Sequence, residues 1–374
     1  MTTVAASRPP RVLIACDWLL KYAAGLAGGL AAAGAAPLLT TRDHGLEFGG
    51  DVVEMRAEVR RLAGSTTPVW TVPGRPRQLA TVAAVRRLAA ARRRLDPDVI
   101  HLQSGVENDV RMLWVLGARP RRYAYTVHDP VVHPGERPPG LAGALLAGQL
   151  LRRAGLVFVH AEALREELLS HHTVSAPVEV VPHGIEAAVV RPLPQRPSVL
   201  FFGRISAYKG LSVLLDAMAA VWAALPATRL VVAGEGDVPD HPALRDTRVE
   251  LRVGHVPQAD VPALFAAATV VALPYMQASQ SGVGSLAKGH GRPIVVTRAG
   301  GLPELVSDGC GLAVPAADPA AFAGALLGIL GDPFRAEAMG RAGATSARNG
   351  ASWSAVGELT LDAYQRHGLL RVSR

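Results

Sequence analysis

VLFFGRISAYKG, residues 199–210, is the stretch on which the reading of the fold turns. The run from Val199 to Phe202 has the length and apolarity of a buried strand. Gly203 stops it, and a basic turn leads into an apolar helical pattern that reaches Met218. A short apolar strand feeding a helix is the repeating unit of a parallel sheet wrapped by helices. The same unit recurs downstream in RLVVAG (229–234), VELRVG (249–254), TVVALP (269–274) and PIVVT (293–297). It recurs upstream in RVLIAC (11–16), DVIHL (98–102), YAYTV (123–127), LVFVH (156–160) and VEVVP (178–182), with helices expected over 19–33 and 78–95.

RPLPQRPS, residues 191–198, separates the two series and has the polar, proline-bearing character of an interdomain linker. The expected fold class is α/β, with two facing doubly wound, Rossmann-like domains and a cleft between them. The first domain spans residues 1–190 and the second 191–351, and residues 352–374 form a helix returning to the first. In open parallel sheets, ligands bind beyond the carboxyl ends of the strands, so candidate site residues are those that immediately follow strands.

The 374 residues suffice for two such cores, and with 49% hydrophobic but only 5% aromatic residues those cores must be built of Ala, Val and Leu. The net charge of +8 suits an anionic partner without naming it. Arg86, Arg87, Arg92, Arg93 and Arg94 crowd one helical segment with no interleaved aromatics, which argues against a nucleic-acid partner and leaves a solvated face or peripheral membrane contact. The two cysteines, Cys16 and Cys310, have no paired spacing that suggests a zinc site or disulfide framework. The opening MTTVAASRPP lacks the features of a secretory signal. The expected location is cytoplasmic, with the inner membrane face as a peripheral alternative.

Chemistry concentrates in two segments. In the first, Gly203 lets a ligand approach the backbone, Arg204 can fork two hydrogen bonds to phosphate, and Lys209 adds a point charge. Taken alone, the pattern is more often that of an exposed basic turn. In the second, 273–306, a strand ends at Pro274 and Ser281-Gly282-Val283 opens a helix whose free amides suit an anion, or whose serine simply caps it.

Together the two segments resemble those of the retaining, nucleotide-sugar-dependent glycosyltransferase family 4, which has the GT-B fold. The family pattern of strand-GR-x4-KG, proline strand end, glycine-rich turn, GxPVVA strand and GG-x-PE reads here as FFGRISAYKG, LPYMQASQSGVGSLAKGHG, GRPIVVT and GGLPELV. The resemblance implies that Arg204 and Lys209 bind the donor diphosphate, and that Gly203, Ser281, Gly282, Val283 and Glu304 line the donor site. It also implies that Val256, in the GHVP turn, meets the nucleobase. TVHDP (126–130) is similar to the family's His-Asp element, so His128 joins Arg204 and Lys209 as a catalytic-site residue. His183, in VVPHGI, is expected to be structural. Two glutamates common in the family are absent, their positions being Ala278 and Leu286, and Ser279, Gln280 and Ser281 are the available replacements. The acceptor-side loop also departs from the pattern, presenting Asp17, Trp18 and Lys21.

The implied reaction is metal-independent sugar transfer from a UDP- or GDP-type donor, with retention. The acceptor is a small molecule or lipid-linked, and neither a cofactor nor a metal is needed. Two alternatives stay open: a non-catalytic GT-B partner subunit, and a nucleotide-sugar epimerase. A dinucleotide-dependent oxidoreductase lacks its GxGxxG, since AGEGDVP supplies only two glycines.

Overall fold

The computed structural model describes residues 8–43, 45–73, 96–105, 123–132 and 140–370, with scattered positions from 83 to 93. The arginine-bearing helix expected over 78–95 falls largely outside these residues, although 83, 86, 87, 89, 90, 92 and 93 are helical.

Two parallel sheets account for the alternating pattern. The first contains β1 (Arg11–Ala15), β2 (Ala36–Asp43), β3 (Val69–Pro73), β4 (Val99–Gln103), β5 (Tyr123–Thr126), β6 (Leu156–Val159) and β7 (Val178–Val180), in the order β3-β2-β1-β4-β5-β6-β7. The second contains β8 (Ser198–Phe202), β9 (Arg229–Gly234), β10 (Val249–Val253), β11 (Val270–Leu273), β12 (Ile294–Thr297) and β13 (Gly311–Val314), in the order β10-β9-β8-β11-β12-β13. Each order reverses direction once, between β1 and β4 and between β8 and β11. These are the topological switch points at which such sheets hold ligands.

The central strands β4, β5, β11 and β12 are buried at every position, because helices cover both faces and the sequence need not alternate. Edge strand β10, VELRV, does alternate, and its Glu250 and Arg252 discourage pairing with another chain. The sequence reading omitted β2, β3 and β13. β2 carries TTRD at its end yet buries Thr40 and Thr41, β3 is bracketed by prolines, and β13 has only four half-buried residues.

Among the described residues, the helices on the first sheet's side are α1 (Leu20–Ala32), α2 (Val52–Ala63), α3 (Leu141–Arg153) and α4 (Glu162–His171). On the second sheet's side they are α5 (Leu211–Ala224), α6 (Val261–Ala266), α7 (Gly282–Gly289), α8 (Leu302–Leu305), α9 (Pro319–Leu330) and α10 (Pro333–Arg348). Residues 207–224 are apolar enough to pass a compositional test for a membrane span, but α5 turns Leu211, Leu214, Leu215, Met218 and Val221 into the second core.

The last helix, α11 (Trp353–Arg366), crosses back onto α1. Glycines permit the close approach: a Cβ on Gly29 would lie 1.9 Å from the Trp353 carbonyl oxygen, and one on Gly357 would lie 2.2 Å from Gly29. Ser352 caps α11 by accepting the Ala355 amide at 3.3 Å, and Tyr364 Oη reaches His101 on β4 at 2.5 Å.

Candidate active site

The second sheet's switch point is built from Gly203, Lys209, Tyr275 and the start of α7. Gly203 leaves β8 at φ +97, a conformation that favours glycine, while its amide still bonds the Ala233 carbonyl at 2.9 Å. A Cβ there would sit 3.1 Å from Val283 Cγ2 and 3.5 Å from Lys209 Nζ, so the strand end, the lysine and the helix converge on the hydrogen face of one glycine.

Lys209 occupies a single 3-10 turn, Ala207–Lys209, before α5 begins at Leu211. Its ammonium donates to Tyr275 Oη at 3.3 Å and lies 4.9 Å above the Tyr275 ring. Tyr275 Oη in turn meets Ser281 Oγ at 3.3 Å. Ser281 Oγ accepts the Gly284 amide at 3.2 Å, which caps α7 and leaves the Gly282 and Val283 amides in its open first turn. Arg204 is exposed and donates to Tyr208 Oη at 3.1 Å. A lysine, an arginine and helix-start amides gathered at a switch point can neutralise a diphosphate by charge and dipole together.

The first sheet presents a different wall. Gln103 ends β4, and His128, His160 and His183 follow the carboxyl ends of β5, β6 and β7 in order. His160 Nδ1 donates to the Val181 carbonyl at 3.0 Å, so its Nε2 carries the lone pair and accepts from His128 Nδ1 at 3.1 Å. His128 Nε2 must then accept as well. Gln103 Oε1 stands 2.9 Å away, and turning the amide over satisfies the ring by presenting the NH2, which has no partner among the described residues.

Burial pushes all of these imidazoles towards the neutral form. His128 lies well below the usual histidine value, His160 is pushed down to about 4, and His183 and His101 to about 3. The His128 ring is buried and bonded through both nitrogens. A cavity of about 410 Å³ between the two sheets' units is walled instead by His160 and His183 on one side and by Gln280, Ser281, Ser285 and Lys288 on the other. His183, expected to be structural, therefore stands on the cavity. His160 went unnoticed although, like His128, it directly follows a strand.

The acceptor-side residues diverge. Asp17 is buried and holds Arg42 through both carboxylate oxygens. Lys21 lies 4.9 Å above the Phe48 ring, with burial lowering its pKa. Trp18 stays 40% exposed, with its Cβ against Gly105 at the first switch point. Val256 is half-buried in the turn after β10. Glu304 lines the cavity beside Gln280 and Ser281, and its carboxylate accepts the Glu162 and Ala163 amides of α4, each at 2.9 Å. The physical reason is the electropositive start of α4, whose cap residue Ala161 offers no side-chain acceptor. Tyr275, the hub of the donor side, was not picked out. Its position one residue past the strand-ending Pro274 is the signal that could have found it.

The profile of Glycosyltransferase Family 4 matches residues 21–189, and that of Glycosyl transferases group 1 matches residues 196–332. The chain belongs to glycosyltransferase family 4. Among the members it resembles is the D-inositol 3-phosphate glycosyltransferase of Segniliparus rotundus, 30% identical over 254 residues, which are 62% of this chain and 56% of that one. Another is the same enzyme of Kineococcus radiotolerans, 30% identical over 277 residues, 64% of this chain and 63% of that one. The chain thus spans less than two thirds of the length of these relatives.

Similar solved structures include sucrose-phosphate synthase of Thermosynechococcus elongatus, with TM-score 0.72 and 20% identity over 96% of this chain and 98% of that one. Anabaena HepE in complex with UDP-glucose has TM-score 0.70 and 16% identity over 94% and 98%. These likenesses establish the GT-B fold.

Proposed function

We propose that this family 4 member is a metal-independent, retaining glycosyltransferase of the cytoplasm that moves a sugar from a nucleoside diphosphate donor to a small polyhydroxylated acceptor. The observation that carries the reading is the convergence of Gly203, Lys209 and the open first turn of α7 at the β8/β11 switch point. In this reading residues 191–351 form the donor domain, residues 1–190 the acceptor-side domain, and residues 352–374 the helical tie between them.

As the glycosidic bond breaks, negative charge grows on the leaving diphosphate. Arg204, Lys209 and the Gly282 and Val283 amides stabilise it there, in the role a metal plays elsewhere. The departing phosphate oxygen takes the proton of the incoming hydroxyl on the same face of the sugar, so the configuration is retained and no protein nucleophile is required. His128 acts from behind the cavity wall, donating to His160 Nε2 and so holding the orientation of that ring. Val256 meets the nucleobase. UDP is the proposed nucleotide, supported by the complexes of structurally similar HepE with UDP-glucose and UDP.

The test is calorimetric titration, without metal, of the purified chain with UDP, GDP, ADP and dTDP, beside an Arg204→Ala/Lys209→Ala double variant. Selective UDP binding that falls at least a hundredfold in the double variant is expected, at about 1.4 kcal/mol per lost decade. No binding by the wild-type chain sinks the reading. A chelator is expected to leave transfer unchanged.

A second reading, a non-catalytic partner subunit, is favoured by one observation: no carboxylate stands at 278 or 286, where Ala278 is buried and Leu286 packs against the core. It would be upheld by UDP binding with no release of UDP from UDP-glucose in the presence of polyol acceptors.

A further inference from the structure

Two carboxylates cross the cleft in opposite directions. Glu304, on α8 of the donor half, accepts the Glu162 and Ala163 amides of α4 at 2.9 Å each. Glu54, on α2 of the first half, accepts the Gln258 amide at 2.6 Å and meets His255 Nε2 at 2.9 Å. Each therefore satisfies backbone donors that its own half does not contain. The Glu54 contact is only partly open to water, with the histidine side chain 26% exposed and the glutamate 20%. The backbone supports it: a Cβ on Gly49 would lie 2.7 Å from His255 Cβ, so the 45–54 segment bears directly on the turn after β10.

We infer that Glu54 and Glu304 are positioning residues that form a reciprocal clasp holding the cleft closed, and that the Glu54 arm must release before a nucleotide can seat. The gating part rests on the proposed function, which assigns the nucleobase to Val256. Val256 lies between His255 and Gln258, so in the closed form Glu54 and Gly49 cover the turn the base must reach. A nucleotide that binds only after this cover lifts has an apparent affinity reduced by the fraction of molecules that are open. Cutting the clasp raises that fraction, so removing a carboxylate strengthens nucleotide binding. A residue that contacted the nucleotide would give the opposite sign. The Glu304 arm acts at the other side of the cleft, where it draws α4 and the adjacent His160 against α8. Release there opens the same cleft without uncovering the base site directly.

The experiment compares Glu54→Ala, Glu304→Ala and the double variant with wild type and with Glu337→Ala, a control whose carboxylate pairs with Arg341 on its own helix. Small-angle scattering without nucleotide is expected to give a larger radius of gyration for both single variants and the largest for the double. Calorimetry with UDP is expected to show Glu54→Ala binding about three- to tenfold more tightly than wild type, the size of one ordinary hydrogen bond. Glu304→Ala is expected to bind more tightly by a smaller factor. Unchanged radii overturn the clasp, and unchanged or weakened UDP affinity of Glu54→Ala overturns the gating. Absence of UDP binding by wild type counts against the proposed function instead, and the scattering result still decides the clasp.

Discussion

The two walls of the cleft solve opposite electrostatic problems. On the donor side, Lys209 and Arg204 keep their charges near the surface, braced by Tyr275 and Tyr208, and the backbone amides of α7 are left open. On the first-sheet side, His101, His128 and His160 are buried in a hydrogen-bonded, uncharged array packed around Tyr22 and Tyr364. One wall is made to receive charge and the other to exclude it. An anionic leaving group is stabilised best when the fixed positive charge lies on its own side and the opposite wall stays neutral. A protonated histidine array would compete with the donor wall for the diphosphate.

Acid breaks this comparison most severely. The folded-state pKa values of His101, His128 and His160 lie below the ordinary value of about 6.5 that the unfolded chain restores. As pH falls through 6.5 the unfolded state takes up protons that the folded state refuses. Stability is complete above that pH and is lost progressively down to about 4, where His160 itself titrates. Each such histidine contributes about 1.4 kcal/mol per pH unit, so the three, together with His183, whose pKa burial pushes down to about 3, cost on the order of 7 kcal/mol between pH 7 and 5. Buried Glu47, whose pKa is raised by desolvation, works in the other direction and offsets part of this loss. Urea unfolding at several pH values gives the slope. A dependence shallower than one proton over that interval would mean that the array is hydrated and the wall is not neutral.

Tyr22→Ala sharpens the same contrast by removing the ring around which the histidines pack. Its centroid lies 4.7 Å from His128, 4.8 Å from His160, 5.2 Å from His183 and 5.3 Å from Trp353. Truncating a buried aromatic of this kind costs about 3–4 kcal/mol. The void admits water to the imidazoles, so the acid slope should flatten in the same variant. Tyr22→Phe keeps the ring and should leave both the midpoint and the slope close to wild type. A flattened slope in Tyr22→Phe would shift the cause from packing to the hydroxyl.

Most of the donor half was legible in the sequence because its chemistry is local. Gly203, Arg204 and Lys209 lie within seven residues, and Ser281-Gly282-Val283 marks the start of α7 directly. The first-sheet wall was harder to read because its members are 25 and 32 residues apart along the chain and meet only when β4, β5 and β6 align. His128 was visible through its strand-end position, but its partners were not. The clasp was invisible for the same reason. Nothing local to Glu54 signals a partner 204 residues away, and Glu304 was expected on the donor side because its neighbours are there. Strands β2 and β13 were missed where burial overrides polar or short sequence, since Thr40 and Thr41 pass for surface until β1 and β3 flank them.

The smallest expected effect tests whether the donor wall is as finely fitted as its glycine suggests. Gly203→Ala adds one methyl group and no charge. At φ +97 an alanine is strained, at a cost of about 1–2 kcal/mol if the backbone holds its conformation. The new Cβ would stand 3.1 Å from Val283 Cγ2, which must give by a few tenths of an ångström, and in ordinary contact with the Lys209 ammonium at 3.5 Å, so it narrows the space proposed for the diphosphate. A loss of UDP affinity of about tenfold is expected from this crowding, alongside a modest fall in the urea midpoint. The acid slope should not change, because the histidine wall belongs to the other sheet. Unchanged UDP affinity together with the stability loss would show that Gly203 serves only the turn, and would move the diphosphate away from the β8 end of the switch point. A changed acid slope would mean that the two walls are coupled through the cleft, so that the neutrality of one depends on the geometry of the other.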